Sequence, residues 1–387
     1  MMEPNSDERL NAVTGLLADL YEVEAVVIQA NNLTFRLTSR YPAVKSRKLI
    51  EDRLQLAGHR YRIHDEGEGL LLSIDPHRRI RIPILNIALF LLTVLSVYLV
   101  PVFFDNYFDA LDIVGRRTAA NGQGALDKIA FIAETTREAA SLALSDLADG
   151  AGIEFTLALM SILLFHEMGH FIASRRRGII TSWPYFIPAP NIIGTFGAVI
   201  KSKSPFWNRR DLLEVGAAGP IAGWILAVGW FAYGLINSHP ESVDSLAGFD
   251  VSVGPSLITW LSVKFVVGSI SEGYYLPLSE AAFAGWVGFL VTAINLLPIG
   301  QLDGGHILYG LFQRKQFWLA RASMAALVLL GFLSSMWWLF ALFGFVFGVK
   351  HPPTLNDDRP PGSKAELLGW ISLAIMVLSF TPIPFGM

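Results

Sequence analysis

Two histidines four residues apart, His166 and His170, enclose Glu167 in the pattern H-E-x-x-H. On a helix the two imidazoles share one face, so both can grip a single zinc ion while the neighbouring carboxylate acts as a base toward water activated there. The pattern lies near the end of a largely apolar run, residues 155–173, long enough to cross a membrane. An unpaired charge at such a depth costs on the order of 3 kcal/mol or more, and chains carry one there chiefly for ions, protons or catalysis. The residues read as a zinc hydrolase site buried in a bilayer.

A catalytic zinc keeps three protein ligands and one open position. The chain has no cysteine, so the third ligand must be His, Asp or Glu, and no disulfide can form. Asp303 is the natural candidate, near the end of the stretch N-L-L-P-I-G-Q-L-D-G-G that begins at Asn295. Pro298 and Gly300 would break a helix there, and the freed backbone groups are tolerated at membrane depth only beside a cavity or packed protein. His306 reads as a packing or supporting residue, because a fourth protein ligand would close the position water needs. His351-Pro352-Pro353 reads as a helix stop.

The elements that must position these groups are membrane helices. The chain is 52% hydrophobic with mean hydropathy +0.45, and 16% charged, well under the roughly 25% of a soluble domain. This composition describes a polytopic α-helical membrane protein. A net charge of −3 and the lack of a long basic stretch exclude a nucleic-acid partner. Seven spans are expected, at about 82–104, 153–174, 212–236, 279–300, 317–334, 336–349 and 366–384. Basic residues flanking the first, second, third and fifth spans fall on one side if the seven alternate, so residues 1–78 are cytoplasmic. The second and fourth spans then both run inward and bring the histidines and Asp303 to one depth. Residues 1–9 lack the basic-then-apolar order of a signal peptide, which leaves the first span as insertion signal.

Residues 1–78 read as a small soluble α+β domain of unassigned role. Helical spacing covers 7–21 and 43–56, strands cover 24–30 and 33–37, and a hairpin covers 61–74. Residues 79–150 hold the first span and an external loop from 105 to 150, with a helix-like stretch at 126–147. Residues 151–310 form the core and 311–387 the C-terminal spans. Segment 191–203, glycine-rich with an alternating Phe196, Ala198, Ile200 pattern, reads as a hairpin or re-entrant strand whose free edge pairs with an extended partner. Gly216, Gly219 and Gly223 read as a close helix-packing face.

H-E-x-x-H in one transmembrane helix with N-x-x-P-x-x-x-x-D-G in a later one resembles the paired signature of the site-2 protease family of intramembrane zinc metalloproteases, in a bacterial or plastid-type form. Gly194-Thr195-Phe196-Gly197 and Gly219-Pro220-x-Ala222-Gly223 extend the match. The resemblance implies one zinc per chain held by His166, His170 and Asp303, with Glu167 as general base and Asn295 contacting substrate or stabilising an oxyanion. It also implies that Gly194, Thr195, Phe196 and Gly197 present substrate. The expected substrate is a transmembrane protein cut within the lipid bilayer near the cytoplasmic face, with release of a membrane-tethered factor, in a bacterial inner membrane. A non-catalytic scaffold that binds transmembrane helices is the alternative, and an intact Glu167 with all three ligands argues against it. The sequence sets neither substrate identity nor oligomeric state.

Overall fold

The computed structural model describes residues 6–29, 32–41, 43–56, 59–66, 69–75, 83–118, 125–177, 179, 181–202, 206, 208–243, 252–300, 302–354, 356–358 and 360–386. Residues 1–83 group with 171–183 and 201–207 as one compact unit, and 84–170, 184–200 and 208–387 form a second.

In the first unit, α1 (Ser6–Leu17) and α2 (Ala43–Leu56) accompany β1 (Tyr21–Gln29), β2 (Asn32–Ser39), β3 (Arg60–Glu66) and β4 (Gly69–Asp75), an antiparallel sheet of order β1-β2-β4-β3. Alternation decides its inner face. Leu33, Phe35 and Leu37 stand opposite Ile74, Leu72 and Leu70, and all join Val13, Leu17, Ile50 and Leu54 in one core.

The second unit opens with α3 (Ile84–Thr118), a helix of 35 residues containing Pro101. It runs well past residue 104, and α4 (Ala125–Ala148), where a helix-like stretch is expected at 126–147, packs against it, so 105–148 is largely a helical hairpin. Asp105, Asn106, Asp109 and Asp112 end the hydropathic run without ending the helix, since tertiary partners take over. Asn106 Nδ2 donates to Asp146 Oδ2 at 2.8 Å, Tyr98 Oη donates to the Leu147 carbonyl at 3.2 Å, and Ala110, Val114, Thr135 and Ala139 are fully buried. The N-terminal half of α3 exposes Ile84, Leu85, Ile87, Leu91, Leu92 and Leu95. Exposed aliphatics in such a row suit contact with lipid.

The centre of this unit is α5 (Ile153–Arg176), α6 (Arg209–Ile236) and α8 (Glu280–Asn295), with the β5 (Tyr185–Pro188) and β6 (Thr195–Val199) hairpin between α5 and α6. Ile162, Ala227, Phe231, Trp286 and Phe289 share its core. Small residues let the backbones approach: a Cβ on Gly285 would meet Phe231, and one on Gly288 would meet Ala227 and Ile162. The Glu280 carboxylate accepts from the backbone amides of Gly152 at 2.7 Å and Phe155 at 3.1 Å, joining the N-terminal ends of α5 and α8. Those two helices therefore run the same way, and Ser279, bonded to the Gly234 carbonyl at the end of α6, sets α6 opposite.

Short β7 (Glu241–Ser242), β8 (Ser252–Val253) and β9 (Tyr274–Tyr275) flank α7 (Leu257–Val266), a ten-residue helix closed by a Ser256–Thr259 capping box. Beyond α8 follow α9 (Asp303–Phe312), α10 (Gln316–Leu330), α11 (Met336–Phe347), α12 (Ser363–Ser379) and the terminal β10 (Phe385–Gly386), which pairs with β8. The break between α10 and α11 falls where the sequence splits its fifth and sixth spans, with Gly331 against the Trp338 indole. Among the described residues three helices, α3, α5 and α6, are long and apolar enough to cross a membrane. The expected fourth span, 279–300, is α8, which stops at Asn295 before Pro298 and Gly300, and a new helix begins at Asp303.

Candidate metal centre

His166 and His170 project from α5, one turn apart, and Asp303 is the first residue of α9. Asp303 Oδ2 lies 3.3 Å from His166 Nε2 and 3.2 Å from His170 Nε2, and the two nitrogens are 3.3 Å apart. These side chains are 5%, 12% and 15% exposed in the order His166, His170, Asp303. His170 Nδ1 lies 2.8 Å from the Val215 carbonyl. A carbonyl only accepts, so Nδ1 carries the proton and Nε2 of the neutral ring presents a lone pair. The His170 Nε2 lone pair thus faces the Asp303 carboxylate, two acceptors 3.2 Å apart.

Zinc fits this set. Metal–ligand bonds of about 2.0–2.1 Å in a tetrahedron place ligand atoms roughly 3.3–3.4 Å apart, which matches the three observed separations, and two imidazoles with one carboxylate are ligand types zinc takes. Glu167, 5% exposed, is buried beside them.

The cradle is built from glycine. A Cβ on Gly219 would overlap the His170 ring, one on Gly223 would stand 3.0 Å from His166 Cβ, and one on Gly169 would strike the Ala218 carbonyl. The packing face read from Gly216, Gly219 and Gly223 is thus also what seats the ligands. The Val215 carbonyl had no signature in the sequence, because every residue supplies one. Gly300, at φ +53, turns the chain between α8 and α9, and Gly304 and Gly305 press α9 onto the carbonyls of Leu296 and Gly300.

Asn295 closes α8, half-buried, its amide without a hydrogen bond among the described residues. The hairpin residues divide into two kinds. Gly194, at φ +80, abuts the Ser96–Val97 backbone of α3, and Thr195, 6% exposed, donates to the Ile187 carbonyl at 2.8 Å and accepts from Gly197 N at 2.9 Å. Phe196 is 74% exposed and Gly197 borders open space. Four contacts run the hairpin along α3. Asn86 donates to the Pro184 carbonyl, Phe90 meets Phe186, Ser96 donates to the Ala189 carbonyl, and Gly194 seats on Val97. From Asn86 to Val97 that is a reach of about 16 Å along the helix.

Apolar helices of spanning length thus accompany a buried His-His-Asp set whose ligand atoms could hold one metal ion. Residues 154–337, a little under half of the chain, match the model of Peptidase family M50, and this segment holds the motifs that resemble the site-2 protease signature. The chain is 34% identical over 245 residues to "Probable zinc metalloprotease EGY1, chloroplastic" of Arabidopsis thaliana, covering 60% of this chain and 43% of that protein. It is 30% identical over 240 residues to EGY2 of the same plant, covering 61% and 42%. It is 26% identical over 245 residues to EGY3 of Oryza sativa subsp. indica, covering 58% and 41%. The chain spans less than half the length of these relatives.

Proposed function

We propose that the protein is an intramembrane zinc endopeptidase that cleaves transmembrane or membrane-proximal segments near the cytoplasmic face, releasing membrane-tethered proteins. The observation that carries this reading is the 3.2–3.3 Å triangle of His166, His170 and Asp303 with Glu167 buried beside it. The three would hold one zinc ion per chain, which when bound supplies Lewis acidity, bringing the pKa of a water to about 7 and polarising a carbonyl. Glu167 takes the proton of the attacking water and gives it to the leaving amine as the peptide bond breaks. The Asn295 amide donates to the oxyanion developing on the former carbonyl.

A helical substrate hides its amides in its own hydrogen bonds, so the cut needs a locally extended stretch. The outer edge of β6 is open among the described residues and offers that stretch a strand to pair with. Phe196 packs on its side chains, while Gly194 and Thr195 hold the hairpin in place. We place the chain in a bacterial inner membrane with the N-terminus cytoplasmic and seven crossings. The opposed directions of α5 and α6 support the alternation. For α10 and α11, support comes from Trp337 at the tip between them, whose indole donates to the Pro382 carbonyl beyond α12 at 2.7 Å.

Incubation of the purified protein with single-span test proteins, followed by mass spectrometry of the fragments, tests the reading. Scission inside the span or at its cytoplasmic edge is expected, and scission confined to water-exposed loops would overturn it.

A further inference from the structure

α9 carries the third metal ligand on its first residue, yet it is only ten residues long and has no side-chain cap at its N-terminus. Something else must hold it in position. The segment between α11 and α12 does so through polar groups. His351, 3% exposed, places Nδ1 against the Pro352 carbonyl and Nε2 2.6 Å from Nδ1 of His306, one turn after Asp303. The carbonyl fixes the proton of neutral His351 on Nδ1, so its Nε2 accepts and His306 Nδ1–H donates. Tyr309 stacks on the His351 ring at 4.8 Å and donates to Asp357, whose other carboxylate oxygen accepts from Thr354 Oγ1 at 2.6 Å. Gln316 donates to the Val349 carbonyl at 3.0 Å, and Gln313 to that of Asp357 at 2.7 Å. On its other side His306 is wedged against α6, where a Cβ on Gly216 would stand 3.1 Å from its own Cβ, one turn before the glycine that seats His170.

We infer that His351 is a positioning residue, which through His306 sets the rotation and depth of α9 and hence the approach of Asp303 to the two histidines. The proposal rests on the metal-centre reading above. A hydrogen-bonded chain of two rings is rigid and directional, and residues that orient ligands from behind commonly change metal affinity by 10–100-fold.

The test compares His351→Asn with His351→Gln in the full chain in detergent. The shorter amide retains a group near Nδ1 but cannot reach His306, whereas glutamine carries an acceptor out to the Nε2 position. Three quantities are read: zinc affinity by chelator competition, the visible spectrum of the cobalt-loaded protein, and the thermal midpoint. The proposal expects zinc affinity in His351→Asn to fall about tenfold, with an altered cobalt spectrum and a midpoint equal to that of His351→Gln, which binds nearly as wild type. Wild-type affinity and spectrum in His351→Asn would overturn it, and so would equal losses in both variants. If His351→Asn does not fold, His306→Leu removes the donor from the α9 side, with His306→Asn, which keeps an amide near the Nδ1 position, as its control, and the pair is judged by the same results. Failure of the wild type to bind zinc would instead overturn the metal centre, and the proposal with it.

Discussion

At the residue scale the site is a problem of crowding solved by omission. His170 can point Nε2 at Asp303 and Nδ1 at the Val215 carbonyl only because residue 219 has no side chain. Gly219→Ala should therefore tilt the ring and lower zinc affinity by roughly 10–100-fold. Gly229→Ala, on the same helix with nothing within 4 Å of its added Cβ, should bind zinc as wild type and gain up to about 1 kcal/mol of helix propensity. Chelator competition on the two variants checks both outcomes. Spacing made His166, Glu167, His170 and Asp303 legible, because a metal imposes residue types at fixed intervals. The glycines were legible as packing, but nothing in their spacing says which ring rests on them. The His306–His351 link joins residues 45 apart by one hydrogen bond, which leaves no periodic trace.

At the element scale α3 acts as the rail on which the β5–β6 hairpin lies. Gly194 combines positive φ with direct backbone contact to α3, whereas Gly197 has positive φ and open space. Alanine at 194 should cost about 1–3 kcal/mol from the strained conformation alone, with the collision against Val97 added. Alanine at 197 should bear only the strain. Thermal melts should rank the two in that order, and Phe196→Ala should leave the melt unchanged while raising KM for a cleaved test protein. Strand alternation and helix spacing predicted the N-terminal elements to within a few residues, α2 at its actual bounds. The continuation of α3 past residue 104 was hidden because hydropathy registers lipid contact, and this part of the helix is covered by α4.

At the scale of the whole molecule, the proposed seven crossings depend on helices shorter than a bilayer: α8, α10, α11 and α12 have 16, 15, 12 and 17 residues, against the roughly 20 usually needed. The natural absence of cysteine makes the count measurable. With an impermeant maleimide, single cysteines at Asp149 and Ser335 should label from outside and one at Asp358 from inside. Labelling of Ser335→Cys from inside alone would make α10 and α11 a re-entrant pair and reduce the crossings to five. The central claim, a zinc peptidase whose base is Glu167, is tested most directly by comparing wild type with Glu167→Gln in purified form, measuring zinc per chain and cleavage of a single-span test protein. The account predicts one zinc in both, with turnover in the variant lower by about 10²–10⁴-fold. Equal cleavage by the two proteins, or a wild type that cleaves without zinc, would contradict it.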